Sequence, residues 1–412
     1  MRDWSELEKD QIGEIPDQQT RVLWVIPGID PEAGGPSTTA VNAVIAESRA
    51  GINVTLAFTA TRAGEDLLIS TLDRLQDEGV TVMVFPRLAD TYWAGAWGVS
   101  LALFRWVSAN TGQFDVVNIQ YVWSASTLVS SVSARLKGVP ALLSPHESLT
   151  SYDIDYTSGS RIKRQAKLLL RSIVLRCVDT VIFNSELERK DSQVPSRLVT
   201  EIVPHAVVET TERSGRIKVD ERNFVLGFLG RLHPKKNVDL VISALGMLDD
   251  RFRVIIAGSG SPDYEQRLKT LADDAGVGCR VEWRGQVAHE QRNDYLREVE
   301  LLVMPSQYES FGMVAAESMA VGVPVVITPH AGITSIVKDF KAGYVLPEVT
   351  AIAISEAVDA LSRDPELLCE MTEAGFAAVD EKLTFESYSR NIGELYSSVI
   401  RAADCLPSRR SR

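Results

Sequence analysis

Short apolar runs, each followed by a turn and then a helix-length stretch, recur through almost the whole chain and restrict its fold more than any other feature. The first is RVLWVIP (21–27), and others follow at 53–59, 80–85, 115–119, 139–144, 178–183 and 199–203. Most are separated by helical stretches such as 36–50, 124–137 and 161–176. Apolar strands alternating with helices predict a parallel sheet covered on both faces. At VVETTERSGRIKVDER (207–222) the apolar pattern stops, as expected of a linker. It restarts at FVLGFLG (224–230) and continues through RVIIAG (253–258), RVEWRG (280–285), LLVMPS (301–306) and VPVVIT (323–328). The stretch 350–404 reads as amphipathic helix. Two doubly wound α/β domains in series leave a cleft where the carboxyl ends of both sheets meet.

Composition agrees. A chain of 412 residues, 45% hydrophobic and 24% charged, suits two soluble domains, of about 200 residues each. The formal net charge of −12 argues against nucleic acid as the main partner, because a phosphate backbone is held by a basic surface. Cys177, Cys279, Cys369 and Cys405 lie far apart with no CxxC pair, so neither a disulfide framework nor a zinc site is expected. The N-terminal stretch MRDWSELEKDQIGEIPDQQT is polar and acidic rather than signal-like. No apolar run approaches the ~18 residues that a membrane span needs. A cytoplasmic protein is expected, with contact to the inner face of the membrane left open.

The stretch PSQYESFGMVAAE (305–317) places Glu309 and Glu317 eight positions apart around Phe311–Gly312. On one helix those positions would sit about 80° apart and would not share a face. The spacing makes better sense if Glu309 lies in the loop after strand LLVMPS and Glu317 lies inside the helix that the loop opens. Ligands bind at such strand ends, and the helix begun at Gly312 offers free N–H groups and a positive dipole end to an anion. Carboxylates in turn accept from paired sugar hydroxyls. Taken alone, the stretch also fits two solvated glutamates flanking an ordinary turn.

Other loops repeat the theme. GRLHPKKN (230–237) packs Arg231, Lys235 and Lys236 behind a strand, where they would neutralise a diphosphate or form a solvated basic turn capped by Asn237. AGSGSP (257–262) makes Gly258 a candidate for nucleotide contact, though a plain tight turn explains it equally. In PGIDPEAGGPST (27–38), Gly34 and Gly35 follow the first strand, but the GxGxxG spacing is absent and a dinucleotide site is disfavoured. SPHES (144–148) puts His146 just past a strand, as a structural histidine or one facing the cleft.

Taken in order, GRLHPKKN, AGSGSP, RGQV and ESFGMVAAE resemble the retaining nucleotide-sugar glycosyltransferases of family 4, the glycosyl transferases group 1, over roughly residues 21–400. The resemblance implies a GT-B fold: two Rossmann-like domains facing across a cleft. Its expected layout is a polar tail 1–20, an acceptor-side domain 21–206, the linker 207–222 and a nucleotide-sugar-binding domain 223–383. A helix at 384–404 would return to the first domain, before a tail at 405–412. By resemblance, Arg231 and Lys236 bind the donor diphosphate and Glu309 contacts hydroxyls of the transferred sugar. Backbone amides of Phe311, Gly312 and Met313 lie near sugar and phosphate, and Glu317 holds the ribose hydroxyls. Gly34–Gly35 is similar to the family's glycine pair near the phosphates, and His146 matches its sugar-proximal histidine. Two departures stand out: Asn237 where many members have glycine, and Pro204–His205–Ala206 where they read Pro-Asn-Gly.

The chemistry expected is metal-independent transfer from a UDP- or GDP-linked sugar, without a cofactor, to a saccharide or lipid-linked saccharide hydroxyl in glycan, polysaccharide or glycolipid synthesis. No DxD-like pair stands where a metal would bridge the phosphates. A double displacement would need a carboxylate beneath the anomeric carbon, for which Glu147 is a candidate; the resemblance favours same-face attack instead. An epimerase or phosphorylase-like enzyme on the same scaffold, or a non-catalytic sugar-nucleotide-binding protein, are the alternatives. Finally, RIKRQAKLLLRSIVLR (161–176) carries six cations and no acid. As a helix it predicts an apolar stripe of Ile162, Ala166, Leu169, Leu170 and Ile173 opposite Lys163, Arg164, Lys167 and Arg171. It would be an ordinary domain helix or one that meets anionic lipid.

Overall fold

The computed structural model describes residues 19–29, 35–60, 65–87, 99–150, 153–154, 161–211, 213 and 223–405. The first sheet contains β1 (Arg21–Ile26), β2 (Asn53–Ala60), β3 (Thr81–Pro86), β4 (Val116–Gln120), β5 (Ala141–Ser144), β6 (Thr180–Phe183) and β7 (Val199–Ile202). Its order is β3-β2-β1-β4-β5-β6-β7, and every pair is parallel. The second contains β8 (Phe224–Leu229), β9 (Phe252–Ala257), β10 (Val281–Gly285), β11 (Leu301–Met304), β12 (Val325–Ile327) and β13 (Gly343–Val345). Its parallel order, β10-β9-β8-β11-β12-β13, is the doubly wound arrangement with strand order 3-2-1-4-5-6.

Helices return the chain between strands: α1 (Gly35–Arg49), α2 (Glu65–Asp77), α3 (Leu101–Asn110), α4 (Ala125–Lys137), α5 (Arg161–Cys177) and α6 (Glu186–Asp191) around the first sheet. The second carries α7 (Val238–Leu245), α8 (Pro262–Asp274), α9 (Arg292–Arg297), α10 (Met313–Ala320) and α11 (Thr334–Phe340). Then come α12 (Ala351–Ser362), α13 (Pro365–Lys382) and α14 (Phe385–Asp404).

Both faces of each sheet are buried, which is why the strands read as continuous apolar runs. Successive side chains of β1 alternate between two cores. Val22, Trp24 and Ile26 pack with α1 and α14, while Leu23 and Val25 pack with residues of α3, α4 and α5. The second sheet divides likewise, Leu301 and Val303 entering one core and Leu302 and Met304 the other. Each apolar run of the sequence falls on a strand. The three-residue β13, opened by a glycine, has too little pattern to read. The stretch 350–404 is broken into three helices, with Asp364 and Thr384 as N-caps of the second and third.

The last of these helices crosses back. Phe385, Tyr388, Ile392 and Tyr396 of α14, one stripe at helical spacing, are buried in the core shared with Trp24 and α1. The crossing is pinned by Phe385 N–H donating to Val208 O at 3.0 Å. Asn42 adds side-chain bonds to the carbonyls of Ala206 and Val207, each 3.2 Å.

The two order reversals, at β1/β4 and at β8/β11, put their strand ends toward the cleft, where an open α/β sheet binds its ligands.

Candidate active site

The loop after β11 is held open by its neighbour. Glu309 N–H donates to His330 O at 3.0 Å, Gly332 N–H to Glu309 O at 2.9 Å, and Ile333 N–H to Phe311 O at 2.7 Å. With its backbone fixed, the Glu309 carboxylate accepts from the Ser306 hydroxyl at 2.9 Å and is ion-paired with Lys236. Gly312, at φ +106°, starts α10 in a conformation that favours glycine, and Met304 and Ile333 crowd it from both sides. Phe311 is buried, and Met313 opens the helix. Glu317 lies one turn further in and is 6% exposed. Its carboxylate is met by Arg292 at 3.1 and 3.4 Å. Burial pushes this carboxyl above the usual range, and the Arg292 guanidinium opposes the shift.

The basic loop after β8 is locked to two others. Leu232 N–H donates to Ser259 O at 2.8 Å, and Gln307 N–H to Lys235 O at 2.8 Å. Asn237 ends the turn 234–236 through its backbone N–H to Pro234 O and precedes α7 without a side-chain cap bond. It sits at φ +52° and sends its side-chain amide to Pro305 O at 2.8 Å, stitching the basic loop to the Glu309 loop. That left-handed backbone suits asparagine where the resemblance leads one to expect glycine, since Asn tolerates it better than most residues. Arg231 is exposed, whereas Lys235 turns to the first domain, 3.4 Å from Glu147 and over the Tyr308 ring. Lys235 and Lys236 are adjacent, but each pairs with a different acid.

His146 and Glu147 stand on the opposite wall in left-handed conformations, φ +48° and +69°. Rings bridge the walls: Tyr121 lies 4.8 Å from His146, His146 stacks on His205 at 5.9 Å, and His205 meets Phe311 edge-on at 5.2 Å. His205, the second departure from the family pattern, is therefore the link between His146 and the Glu309 loop. Glu147 accepts from Ser310 N–H at 2.9 Å, and Ser185 donates to Ser310 O at 2.7 Å. Buried Glu188 holds Glu147 N–H at 2.7 Å and is itself pushed up to about 7 by burial. Gly34 lies outside the described residues, and Gly35 opens α1.

Desolvation in this packed cleft brings the His146 imidazole down to about 4. The same effect, with His146 beside it, brings His205 to about 3. In the unfolded chain both would take a proton near pH 6.5. The stability that they contribute is therefore intact above pH 6.5 and is lost as pH falls toward 4. Glu47, raised from 4.5 to about 8, and Glu188, raised to about 7, act in the opposite sense: their contribution is full below pH 4.5 and is lost progressively as pH rises to 8 and 7 respectively. His205→Phe, which keeps a ring on Phe311, should flatten the acid loss seen by denaturant unfolding between pH 6.5 and 4. An unchanged acid slope would show that His205 is solvated.

The basic helix corrects the sequence reading. Leu169 is 64% exposed and Ala166 is exposed too, whereas Leu170, Val174 and Leu175 form the buried face of α5. Lys167 pairs with Asp153 at 3.3 Å over the Trp123 ring, and Arg171 donates to Gln193 at 2.9 Å. Among the described residues, no helix is long and apolar enough to cross a membrane. Sequence reasoning did not reach Arg292, Ser306, Ser185 or the role of Lys235, because the pairs that define them are set by tertiary contact and carry no local pattern.

Comparison with known proteins gives the family. The family model for glycosyl transferases group 1 matches residues 209–377, and that for the glycosyl transferase 4-like domain matches residues 34–200. The D-inositol 3-phosphate glycosyltransferase of Mycobacterium sp. (strain KMS) is 27% identical over 448 residues, spanning 98% of this chain and 97% of the relative. That of Streptomyces scabiei is 25% identical over 319 residues, spanning 72% and 70%. Among solved structures, Anabaena HepE in complex with UDP and glucose superposes with a TM-score of 0.71 at 18% identity, covering 92% of this chain and all (100%) of that one. Sucrose-phosphate synthase from Thermosynechococcus elongatus gives 0.68 at 19% identity, covering 93% and 100%. The chain therefore belongs to the glycosyl transferases group 1, the family 4 glycosyltransferases of GT-B fold.

Proposed function

We propose that this enzyme transfers a sugar from a uridine-diphosphate sugar to a saccharide or polyol hydroxyl, with retention of configuration and without a divalent metal. The observation that carries the reading is the set gathered at the carboxyl ends of β8 and β11: Arg231, the Lys236–Glu309 pair, the helix start at Gly312 and buried Glu317. The solved HepE complex with UDP and glucose supports a uridine nucleotide. The relatives named for D-inositol 3-phosphate support a hydroxyl acceptor.

In this reading the bond from the anomeric carbon to the diphosphate oxygen breaks. The acceptor oxygen joins that carbon on the same face, and its proton passes to the leaving phosphate oxygen. Lys236, Arg231 and the Gly312 helix start stabilise the departing charge. An arriving diphosphate takes Lys236 over from Glu309, which frees that carboxylate for the sugar hydroxyls. Double displacement is disfavoured because the Glu147 carboxylate is engaged, one oxygen by Ser310 N–H and the other by Lys235. Membrane contact through α5 gains no support from the placement of Lys167 and Arg171.

A screen of uridine-, guanosine- and adenosine-diphosphate sugars, read by nucleoside-diphosphate release and by thermal shift, tests the donor. A uridine-diphosphate sugar should be turned over and should stabilise the fold, and Glu317→Ala should weaken its binding about tenfold or more, one charge-assisted hydrogen bond being worth about 1.5–3 kcal/mol. A response to no uridine donor, or an unaltered response in Glu317→Ala, would sink the assignment. Epimerisation or phosphorolysis of the donor in the same assays would favour the alternative chemistries. Activity should also survive chelator. Loss in chelator with recovery on added magnesium or manganese would show that the cations need a metal beside them.

A further inference from the structure

Behind His146 runs a polar chain that the transfer chemistry leaves without a task. His146 Nε2 lies 2.7 Å from Gln120 Oε1. Gln120 Nε2 donates to Asn118 Oδ1 at 2.7 Å, and Asn118 Nδ2 donates to the Tyr396 hydroxyl at 2.7 Å. That hydroxyl donates to Glu47 Oε1 at 3.0 Å. Four successive bonds thus join the loop after β5, strand β4, helix α14 and helix α1. Gln120, Asn118, Tyr396 and Glu47 are each at most 2% exposed.

The chain has one direction. The Trp24 indole, which can only donate, lies 3.0 Å from Glu47 Oε2, and Tyr388 donates to Oε1 at 3.1 Å. The Asn118 amide donates to the Tyr396 oxygen and the Tyr396 hydroxyl to Glu47 Oε1, so the chain runs toward Glu47. Tyr396 uses its only O–H on Glu47, so its oxygen accepts from the Asn118 amide. The Asn118 oxygen must then accept from Gln120, and the Gln120 oxygen needs an N–H from His146. The imidazole is held with its proton on Nε2 and with Nδ1 as acceptor. Nδ1 has no hydrogen-bond partner among the described residues.

We propose that Gln120, Asn118 and Tyr396, ending on Glu47, are positioning residues that fix the tautomer and ring orientation of His146 for sugar transfer. The last helix of the chain is then part of the active site's support, although it touches no reacting group. This rests on the reading that His146 acts in transfer, and the two can be tested apart.

The discriminating pair is Tyr396→Phe against Tyr388→Phe in the full-length chain. Both remove one hydroxyl from Glu47 Oε1, but only Tyr396 connects to Asn118. Tyr396→Phe and Gln120→Leu should lower kcat about tenfold or more, a fraction of what acid–base groups contribute, with donor KM within about twofold. The imidazole ¹⁵N signals of His146 should move from the Nε2-protonated pattern toward a tautomer mixture. Tyr388→Phe should lose similar stability while keeping kcat and the imidazole signals. Imidazole signals unmoved by Tyr396→Phe and Gln120→Leu, or moved equally by both tyrosine variants, would overturn the relay. Signals that move while kcat does not would uphold the relay and remove His146 from the transfer step.

Discussion

Replacing Lys236 by alanine should lower kcat by about 10²-fold or more, because removing one preorganised donor to a developing anion costs roughly 2.7–4 kcal/mol. The magnitude depends on what Lys236 faces at the moment of transfer. In the free enzyme it pairs with Glu309, whose side chain is only 17% exposed. Its removal therefore has two possible consequences: loss of charge stabilisation at the diphosphate, and an unpaired carboxylate left with the Ser306 hydroxyl as its partner. A double-mutant cycle separates them. If Lys236 only neutralises Glu309, combining Lys236→Ala with Glu309→Gln should recover most of the activity of Glu309→Gln alone. If Lys236 acts on the leaving group, the double variant should stay as slow as the slower single variant, or slower. Single-turnover release of nucleoside diphosphate gives the comparison directly, since it isolates chemistry from product release. Wild-type turnover in Lys236→Ala with any accepted donor would remove this lysine from the mechanism.

How far the fold was legible depends on the range over which each feature is determined. Strand runs and the restart after 207–222 are local, and both sheets follow from them. The Glu309–Glu317 spacing is local too, and the structure puts the first in the loop after β11 and the second inside α10. The partners of these groups are not local. Glu47 and Tyr396 lie 349 positions apart and Ser185 and Ser310 lie 125 apart, so no window of sequence holds either pair. The α5 stripe held at Leu170 and failed at Ala166 and Leu169 for a different reason. Opposing the apolar stripe to the cations assumed that every cation is solvated, but Lys167 is drawn in by Asp153 and the Trp123 ring, so the buried face rotates to Leu170, Val174 and Leu175. Asn237 does cap the basic turn, but through its backbone N–H to Pro234 O, while its side chain goes to Pro305 O instead of to the helix that follows.

Gly258→Ala should separate the two loops on which the basic side of the donor site depends. A Cβ built on Gly258 would lie well inside contact distance of the Gly230 carbonyl oxygen, and its φ of +146° is one that L side chains rarely adopt. The obstacle is backbone rather than a movable side-chain tip, so relief requires the loop 230–236 to shift. Overpacking costs about 1–3 kcal/mol and a strained backbone about 1–3 more. For a domain near 200 residues that range lowers Tm by roughly 4–24 °C. Nearby bonds register the shift: Gly230 N–H donates to Ala257 O at 3.0 Å and Leu232 N–H to Ser259 O at 2.8 Å, on either side of the contact. Because Arg231 sits between those two bonds, donor affinity should fall further than the stability loss alone explains. Gly51→Ala serves as the control, since it carries a comparable left-handed φ of +83° but has nothing within 4 Å of its Cβ. It should lose stability by strain alone and keep donor binding unchanged. Equal losses of donor affinity in the two variants would show that the Gly230–Gly258 contact does not set the position of Arg231.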